Sequence, residues 1–182
     1  MPVDVRPFIR ERAAELGFDA CRFASASEPW SAGERLAHFV ETTLERRAHP
    51  TAMWDHARTA IVLGLNYGPG TDPMPGMADA SAGYISVYAR GDDYHEVIKG
   101  RLKTLAGQVA ARTGGEVKVF VDTAPLMEKP LAQRAGLGWQ GKNTNLLTRT
   151  HGSFVFLGEL IVDVPLAPDA PFTADHCGSV ER

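Results

Sequence analysis

Side chains that can transfer protons or hold a ligand gather in four segments of the second half of this 182-residue chain. The segments are YARGDDYH (88–95), FVDTAPLMEKPLAQRAGLGW (120–139), GLGWQGKNTNLLT (136–148) and GSFVFLGELIVD (152–163). Carboxyls, imidazoles and phenols are groups that proteins use for general acid–base catalysis. Lysine and asparagine beside glycines offer polar contacts where a ligand approaches the backbone closely. Together the four segments predict a site that binds a ligand and moves a proton.

Asp122 follows an apolar run over 117–121 that predicts a buried strand. A carboxyl at the end of such a strand points into the crevice above the sheet, where partial desolvation makes it a candidate proton donor. Alternatively, Asp122 or Thr123 caps the following helix, with Pro125 near its first turn. Glu128 and Lys129 fall on that helix, where solvated side chains are the simpler interpretation.

The segment 88–95 places Arg90, Tyr94 and His95 just after a predicted strand. Turns between a strand and a helix commonly carry ligand-binding groups. The alternative is an ordinary helix start with Asp92 or Asp93 as the N-cap. Arg90 and His95 would then be surface residues.

The segment 136–148 has three glycines within six residues, followed by Lys142, Asn143 and Asn145. Its spacing differs from that of a phosphate-binding P-loop, and it follows a predicted helix, unlike a dinucleotide fingerprint. A tight connection with Trp139 as a core aromatic explains the glycines but leaves the polar residues unexplained. Both interpretations stay open, as they do for Glu159, which interrupts an apolar strand and needs either an ion-pair partner or a ligand.

The elements that would position these groups alternate between helical and extended patterns. Apolar periodicity predicts helices over 5–16, 31–46, 51–56, 94–111 and 126–135, and strands over 19–24, 60–65, 84–88, 117–121 and 154–162. A loop rich in proline and glycine covers 66–83. This pattern predicts one α+β domain.

Composition excludes several classes of protein. Apolar residues make up 44% and charged residues 23% of the chain, as in ordinary globular proteins, and the net charge of −3 gives no global field toward nucleic acid. A local basic patch could still bind RNA. No apolar run is long enough to cross a membrane, and the first residues lack the apolar core of a signal peptide, so we expect a cytoplasmic protein. Cys21 and Cys177 are far apart in sequence and neither lies in a Cys-x-x-Cys pair, so we expect neither a disulfide framework nor a closed zinc site.

In their order along the chain, YISVYARGDDYH, FVDTAPLMEKPLAQRAGLGWQGKN and GSFVFLGELIVD resemble the epoxyqueuosine reductase family. The resemblance covers the C-terminal half, and AIVLGLNYGP fits it more weakly. It implies an enzyme that reduces epoxyqueuosine to queuosine in tRNA. It also implies an α+β fold similar to nitroreductases and reductive dehalogenases, with a cobalamin-binding sheet flanked by helices.

The same resemblance assigns roles to individual residues. The aspartate of the family's F-V-D-[ST]-A-P motif is its proposed proton donor, and this position is Asp122 here. Cofactor contacts are implied at Arg90, Tyr94, His95, Trp139, Gly141, Lys142 and Asn143. The protein would hold cobalamin, which supplies the difficult chemistry, and would position the base and deliver a proton.

Two departures from the family pattern matter. A segment of the form H-G-x-M-x-W is shortened or absent near 44–51, which leaves one wall of the cofactor pocket missing or rebuilt. The family also continues with C-G-x-C-x-x-C, which begins the first of two [4Fe-4S] sites, whereas Cys177 is followed here by GSVER. A four-iron cluster needs four ligands, so Cys177 is expected to be only the remnant of a cluster ligand. We therefore expect a cobalamin-binding catalytic domain over 1–165 and the truncated start of a ferredoxin-like domain over 166–182.

Three hypotheses follow. The first is an epoxyqueuosine reductase-type domain, incomplete without its 4Fe-4S domain, that acts on tRNA with an external electron donor. The second is a non-catalytic corrinoid-binding remnant or carrier module. The third is an unrelated α+β domain that binds a phosphorylated small molecule through the loop containing Lys142.

Overall fold

A computed structural model describes residues 4–29, 49–72, 74–77, 80–122, 124–174 and 176–178. The helices within them are α1 (Arg6–Glu15), α2 (Pro50–Met53), α3 (Tyr94–Thr113) and α4 (Glu128–Arg134). The strands are β1 (Ala20–Ser25), β2 (Thr59–Asn66), β3 (Val117–Phe120), β4 (Trp139–Gln140), β5 (Leu146–Leu147) and β6 (Val155–Val162). Short 3-10 turns cover Met74–Met77 and Val87–Ala89. The α+β prediction is confirmed.

The main sheet is antiparallel, with the strand order β1-β2-β6-β3. The central strands β2 and β6 are apolar along their length because both sheet faces are covered. One face packs against α1 and α3 around Phe23, Ile61 and Leu160. The other packs against α4 and Trp54 around Val62 and Ile161. Alternation along β6 therefore sends Leu160 and Ile161 to opposite cores, as the sequence predicted.

The long helix α3 lies very close to β6. A Cβ atom on Gly158 would come within 2.9 Å of Leu102 and 3.0 Å of Ile98, so glycine is needed for this approach. Asp93 caps α3 by accepting a hydrogen bond from the His95 backbone amide. The left-handed Gly114 (φ 73°) ends the helix. These contacts fix the start of α3 over one end of the sheet.

The predicted strand over 84–88 is wrong. Residues 83–86 have no regular structure, and Val87–Ala89 form a 3-10 turn. Tyr84, Ile85 and Tyr88 are exposed, so the alternation that predicted a half-buried strand has no covered face here. Arg90 closes the segment on itself by donating from Nε to the Ile85 carbonyl at 2.9 Å.

Other sequence predictions shift in their boundaries. The short helix predicted over 51–56 is Pro50–Met53, and its N-cap is His49 because Pro50 takes the first helical position. The predicted helix over 31–46 lies outside the described residues, as does most of the shortened region near 44–51. The hairpin of β4 and β5 was not predicted, since each strand has only two residues. None of the helices within the described segments has the length and apolarity that a bilayer crossing requires.

Residues 166–172, called the strap below, run back along the domain. The Leu166 amide donates to Thr59 Oγ1 at 2.8 Å. Asp169 exchanges two hydrogen bonds with the backbone of Phe23 and pairs with Arg10 at 2.6 Å. The Phe172 amide donates to the Gln133 carbonyl at 2.9 Å. The strap therefore contacts the elements that precede it, and the domain boundary at residue 165 stays a prediction.

Candidate active site

Asp122 lies just beyond the end of β3, two residues after Phe120, which is paired with Glu159 of β6. Its backbone is left-handed (φ 46°), which costs a residue with a side chain roughly 1–2 kcal/mol. The helix-capping alternative does not hold for Asp122, because α4 begins at Glu128 with Met127 at its N-cap. The side chain is 62% exposed, so the partial burial expected from the sequence is not found.

Two side chains from the first turn of α3 reach the Asp122 carboxylate. The Tyr94 hydroxyl donates to Oδ2 at 3.2 Å, and His95 Nε2 lies 3.6 Å from the same oxygen. His95 Nδ1 is 2.8 Å from Asp93 Oδ1. The capping and site interpretations of segment 88–95 are thus both partly correct. Asp93 begins the helix, and that start brings Tyr94 and His95 to Asp122.

The charges around these groups shift their titration. The hydrogen bond between His95 and Asp93 raises the pKa of His95 above 6.5, and the nearby Asp122 raises this pKa further. Burial raises the pKa of Tyr94, and the nearby negative charge of Asp122 adds to this effect. Around neutral pH, the phenol therefore keeps its proton as a donor to Asp122. His95 holds a proton more strongly than a free imidazole does.

A pocket of about 190 Å³ lies beside Asp122. Its lining residues are Tyr67, Tyr94, Asp122, Glu128, Lys129, Asn145, Leu146, Ser153, Val155, Phe156 and Leu157. The ring of Phe156 stacks between those of Tyr67 and Tyr94, with centroid distances of 4.1 and 4.0 Å. Tyr67 and Ser153 were missed in the sequence, whereas Asn145 was named there together with Lys142 and Asn143. Only the position of Tyr67 directly after a buried strand could have indicated it.

Two glutamates interact with Asp122: Glu128, which lines the pocket, and Glu159, which is not in its lining. Glu159 is fully buried on β6, and neither of its carboxyl oxygens has a hydrogen-bond partner within the described segments. Glu128 is half-buried, and its Oε1 accepts a 2.6 Å hydrogen bond from the Asp122 amide. The solvated position expected for Glu128 is therefore wrong. The ion pair considered for Glu159 is also not found among the described residues, and its charged neighbour is another carboxyl.

Burial dominates the titration of this carboxyl pair. It raises the pKa of Glu159 well above 4.5, and repulsion from Glu128 and Asp122 adds to the effect. It also raises the pKa of Glu128, although the hydrogen bond from the Asp122 amide opposes this shift. Glu159 is thus neutral over a range of pH in which an exposed glutamate is charged.

Arg90 does not join the Asp122 cluster. Its guanidinium lies over the Tyr84 ring, 4.7 Å from the centroid, in the exposed segment before α3. Phe154 lies beside the pocket, with its ring centroid 5.6 Å from that of Tyr67. The large exposed apolar and aromatic side chains are Met74, Tyr84, Ile85, Tyr88 and Phe154.

The remaining predicted cofactor contacts form a second group on the hairpin of β4 and β5. Lys142 donates from its amide to Cys177 Sγ at 3.4 Å and from Nζ to the Gly178 carbonyl at 3.1 Å. Asn143 Oδ1 accepts from the Asn145 amide at 3.1 Å. Trp139 stacks on Phe172 of the strap, with centroids 5.3 Å apart. This group lies outside the lining of the Asp122 pocket, apart from Asn145.

The glycines of this segment serve the packing of the chain itself. A Cβ atom on Gly136 would come within 2.2 Å of the Ala170 carbonyl oxygen, and one on Gly138 within 2.2 Å of that of Leu147. On Gly141 it would lie 2.7 Å from the Leu147 side chain. The interpretation as a tight connection therefore explains the glycines. A cofactor contact at Gly141 stays a prediction.

Cys177 is half-buried against the hairpin. Among the residues that the structure describes, no group of three or more histidine, cysteine, aspartate or glutamate side chains is arranged to hold a metal ion. The role of Cys177 as a remnant cluster ligand stays a prediction.

Comparison with known proteins gives consistent results. Residues 47–123 match the family model described as epoxyqueuosine reductase QueG, DUF1730. The chain is 41% identical to an epoxyqueuosine reductase of Leadbetterella byssophila, over 94% of this chain and 59% of that protein. It is 43% identical to that of Pseudomonas aeruginosa, over 97% of this chain and 52% of that protein. The chain thus spans between half and three fifths of these relatives.

Solved structures agree. A crystal structure of selenomethionine-labelled epoxyqueuosine reductase superposes with a TM-score of 0.82 and 28% identity, over 97% of this chain and 50% of that one. An epoxyqueuosine reductase with an epoxyqueuosine-modified tRNA-Tyr stem loop superposes with a TM-score of 0.81 and 27% identity, over 97% of this chain and 49% of that one. A reductive dehalogenase reported in connection with B12-dependent dehalogenation shares the fold, with a TM-score of 0.59 and 16% identity over 96% of this chain and 22% of that one. The hypothesis of an unrelated phosphate-binding domain is therefore wrong, and the chain is similar to epoxyqueuosine reductases over nearly its whole length.

Proposed function

We propose that this chain is the part of an epoxyqueuosine reductase that binds cobalamin and the epoxyqueuosine base of tRNA, and that Asp122 delivers a proton to the epoxide. The observation that carries the proposal is the contact of Asp122 with the Tyr94 hydroxyl at 3.2 Å and with His95 at 3.6 Å, beside a pocket. The solved relative with an epoxyqueuosine-modified tRNA stem loop supports tRNA as the substrate.

The chain's own residues suit acid catalysis. Opening an epoxide develops negative charge on its oxygen, and an acid within hydrogen-bonding reach lowers the barrier by supplying a proton. Asp122 would be that acid. Tyr94 holds its Oδ2, and His95 Nε2 lies 3.6 Å from the same oxygen. Because its pKa is raised, a larger fraction of His95 is protonated near neutral pH than of a free imidazole, so His95 is the nearby source of the proton that Asp122 would deliver. The aromatic stack of Tyr67, Phe156 and Tyr94 offers an apolar wall for a base.

The exposed segment before α3 fits a corrin better than the pocket does. A cavity of about 190 Å³ is smaller than a typical cofactor site of roughly 300–1,000 Å³. The exposed side chains of Tyr84, Ile85 and Tyr88 form an apolar surface that suits the face of a large flat ring. Cobalamin, when bound and fully reduced, would supply the strong nucleophile or electron donor. An external electron donor would provide the electrons.

One experiment tests the proposal in stages. Cobalamin is mixed with the purified protein and the visible spectrum is recorded. A chemical reductant and tRNA containing epoxyqueuosine are then added, and queuosine is measured in digested tRNA. We expect a spectral change followed by queuosine formation. An unchanged spectrum would contradict cobalamin binding, and binding without queuosine would leave only the corrinoid-binding module.

The role of Asp122 is tested with Asp122→Asn. This variant should lower turnover by roughly 10²–10⁴-fold, the usual contribution of a positioned acid, while cobalamin still binds. Asp92→Asn is the matched control, since Asp92 is an exposed carboxyl two residues before Tyr94. Equal turnover in the two variants would rule out Asp122 as the proton donor.

A further inference from the structure

The backbone of Asp122 is held in place by Glu128. Asp122 has a left-handed conformation that residues with side chains rarely adopt, so neighbouring contacts must hold it. Its amide donates to Glu128 Oε1 at 2.6 Å, a short hydrogen bond of the kind that a charged acceptor makes. The Tyr94 contact holds the other end of the residue, at the carboxylate. Glu128 therefore helps to fix the direction in which Asp122 points.

Glu159 lies behind Glu128 with no obvious structural use. It is fully buried, and its paired residues on the neighbouring strands are Val62 and Phe120, which cannot accept or donate a side-chain hydrogen bond. A buried carboxyl without a partner is costly, so a fold that keeps one suggests a role for it. After burial, the charge of Glu128 has the largest effect on the pKa of Glu159.

The charged groups that face this pair are few. Glu128 comes from α4, and Asp122 comes from the loop after β3. Lys129 donates to the Thr144 carbonyl at 3.0 Å and weakly favours the charged form of Glu128. Lys118, on the same face of β3, lies over the Trp54 ring. The favoured state of the Glu128–Glu159 pair therefore has one negative charge, with Glu128 ionised and Glu159 neutral.

We propose that Glu128 is a positioning residue for Asp122, which it holds through the 2.6 Å hydrogen bond from the Asp122 amide, and that the buried Glu159 leaves the Glu128 carboxylate in place while it is neutral and repels it when ionised. The inference rests on the proposed function in one respect: the direction of the Asp122 side chain matters for catalysis only if Asp122 is the proton donor. The arrangement weakens in two directions. A proton added to Glu128 at low pH removes the charged acceptor, and ionisation of Glu159 at high pH sets two negative charges together.

The test uses the Asp122 amide as a reporter and does not depend on catalysis. The amide proton is followed by NMR in the purified protein across pH, together with its rate of hydrogen exchange. In the natural sequence we expect a downfield amide near neutral pH that moves upfield as pH falls toward 4.5, since the pKa of Glu128 lies above that value.

Three variants separate the outcomes. Glu128→Ala should move the amide upfield and speed its exchange by about tenfold. Glu128→Gln keeps a neutral acceptor, so it should give an intermediate shift without a titration. Glu159→Gln should retain the natural shift at neutral pH and lose any change at high pH. Glu11→Gln, on the exposed side of α1, is the control and should match the natural protein.

Two results would overturn the proposal. An Asp122 amide that is the same in Glu128→Ala and in the natural protein would remove Glu128 from this role. An upfield amide at neutral pH in Glu159→Gln would remove Glu159. In turnover assays, Glu128→Ala should lower kcat while KM changes little, and Glu128→Gln should restore part of kcat. An inactive natural protein would contradict the proposed function and leave the NMR test valid.

Discussion

The ring of Tyr94 lies almost parallel to that of Phe156, with 4.0 Å between the centroids and 6° between the planes. This stack fixes the ring, while the hydroxyl at its tip reaches Asp122. Packing and hydrogen bonding at Tyr94 can therefore be separated by substitution.

Tyr94→Phe should keep the stack and lose the hydrogen bond to Asp122. One neutral donor is worth about 0.5–1.5 kcal/mol, so we expect a turnover lower by roughly three- to tenfold. The melting temperature should stay close to that of the natural protein. Tyr94→Leu removes the ring as well and should lower both quantities. A Tyr94→Phe protein with full activity would show that the hydroxyl does not assist Asp122.

Glu159→Gln should make the protein more stable near neutral pH. The folded-state pKa of Glu159 is raised, so its contribution is complete below pH 4.5 and is lost as pH rises toward the raised value. Each unit of such a shift corresponds to about 1.4 kcal/mol. Because glutamine stays neutral, thermal unfolding should show a gain at about pH 8 that shrinks toward pH 4.5. An equal difference at both pH values would contradict the burial argument.

Asp93→Asn should lower the pKa of His95. The hydrogen bond from Asp93 is the main cause of the raised value, and asparagine keeps the helix cap while it removes the charge. The protonated imidazole stabilises the fold below pH 6.5, and this contribution is lost as pH rises through the raised pKa. Titration of the His95 ring protons by NMR gives the midpoint. Asp92→Asn is the control and should leave that midpoint in place.

Gly138→Ala should destabilise the protein strongly, because a Cβ atom there would lie 2.2 Å from the Leu147 carbonyl oxygen. Backbone must move to relieve such a clash, so we expect a loss of about 2 kcal/mol or more in the free energy of unfolding. Gly107→Ala is the matched control, since nothing lies within 4 Å of the new atom in the middle of α3. That change should stabilise the protein by about 0.5–1 kcal/mol. Urea unfolding of both variants measures the difference.

The sequence was informative where one force decides the outcome. The apolar runs of β2 and β6 and the stripe of α3 predicted buried elements, because burial on both faces or on one helical side leaves a regular pattern. Asp122, Tyr94 and His95 were identified and do lie together. The pairing of Glu128 with the Asp122 amide was not foreseeable, since it depends on a left-handed backbone at a residue other than glycine.

The errors have a physical origin as well. The residues 84–88 have the alternation of a strand, but alternation reports spacing and not whether another layer covers the apolar side. Arg90 belongs to that exposed segment, so the short distance in sequence to Tyr94 did not bring it to Asp122. The glycines near Trp139 were compatible with ligand contact or internal packing. Only the position of the Leu147 and Ala170 carbonyls decides between these uses.

The strap has a consequence for how separate copies of the protein meet. In the part of the chain that the structure describes, β1 is an edge strand, and an open edge is a template on which a second chain can add a strand. The Asp169 carboxylate accepts a hydrogen bond from the Phe23 amide at 3.0 Å, and the Asp169 amide donates to the Phe23 carbonyl at 2.8 Å. Arg10 forms an ion pair with the same carboxylate. Asp169 therefore occupies the backbone groups of Phe23 that an added strand would use, and the ion pair with Arg10 helps to keep it there.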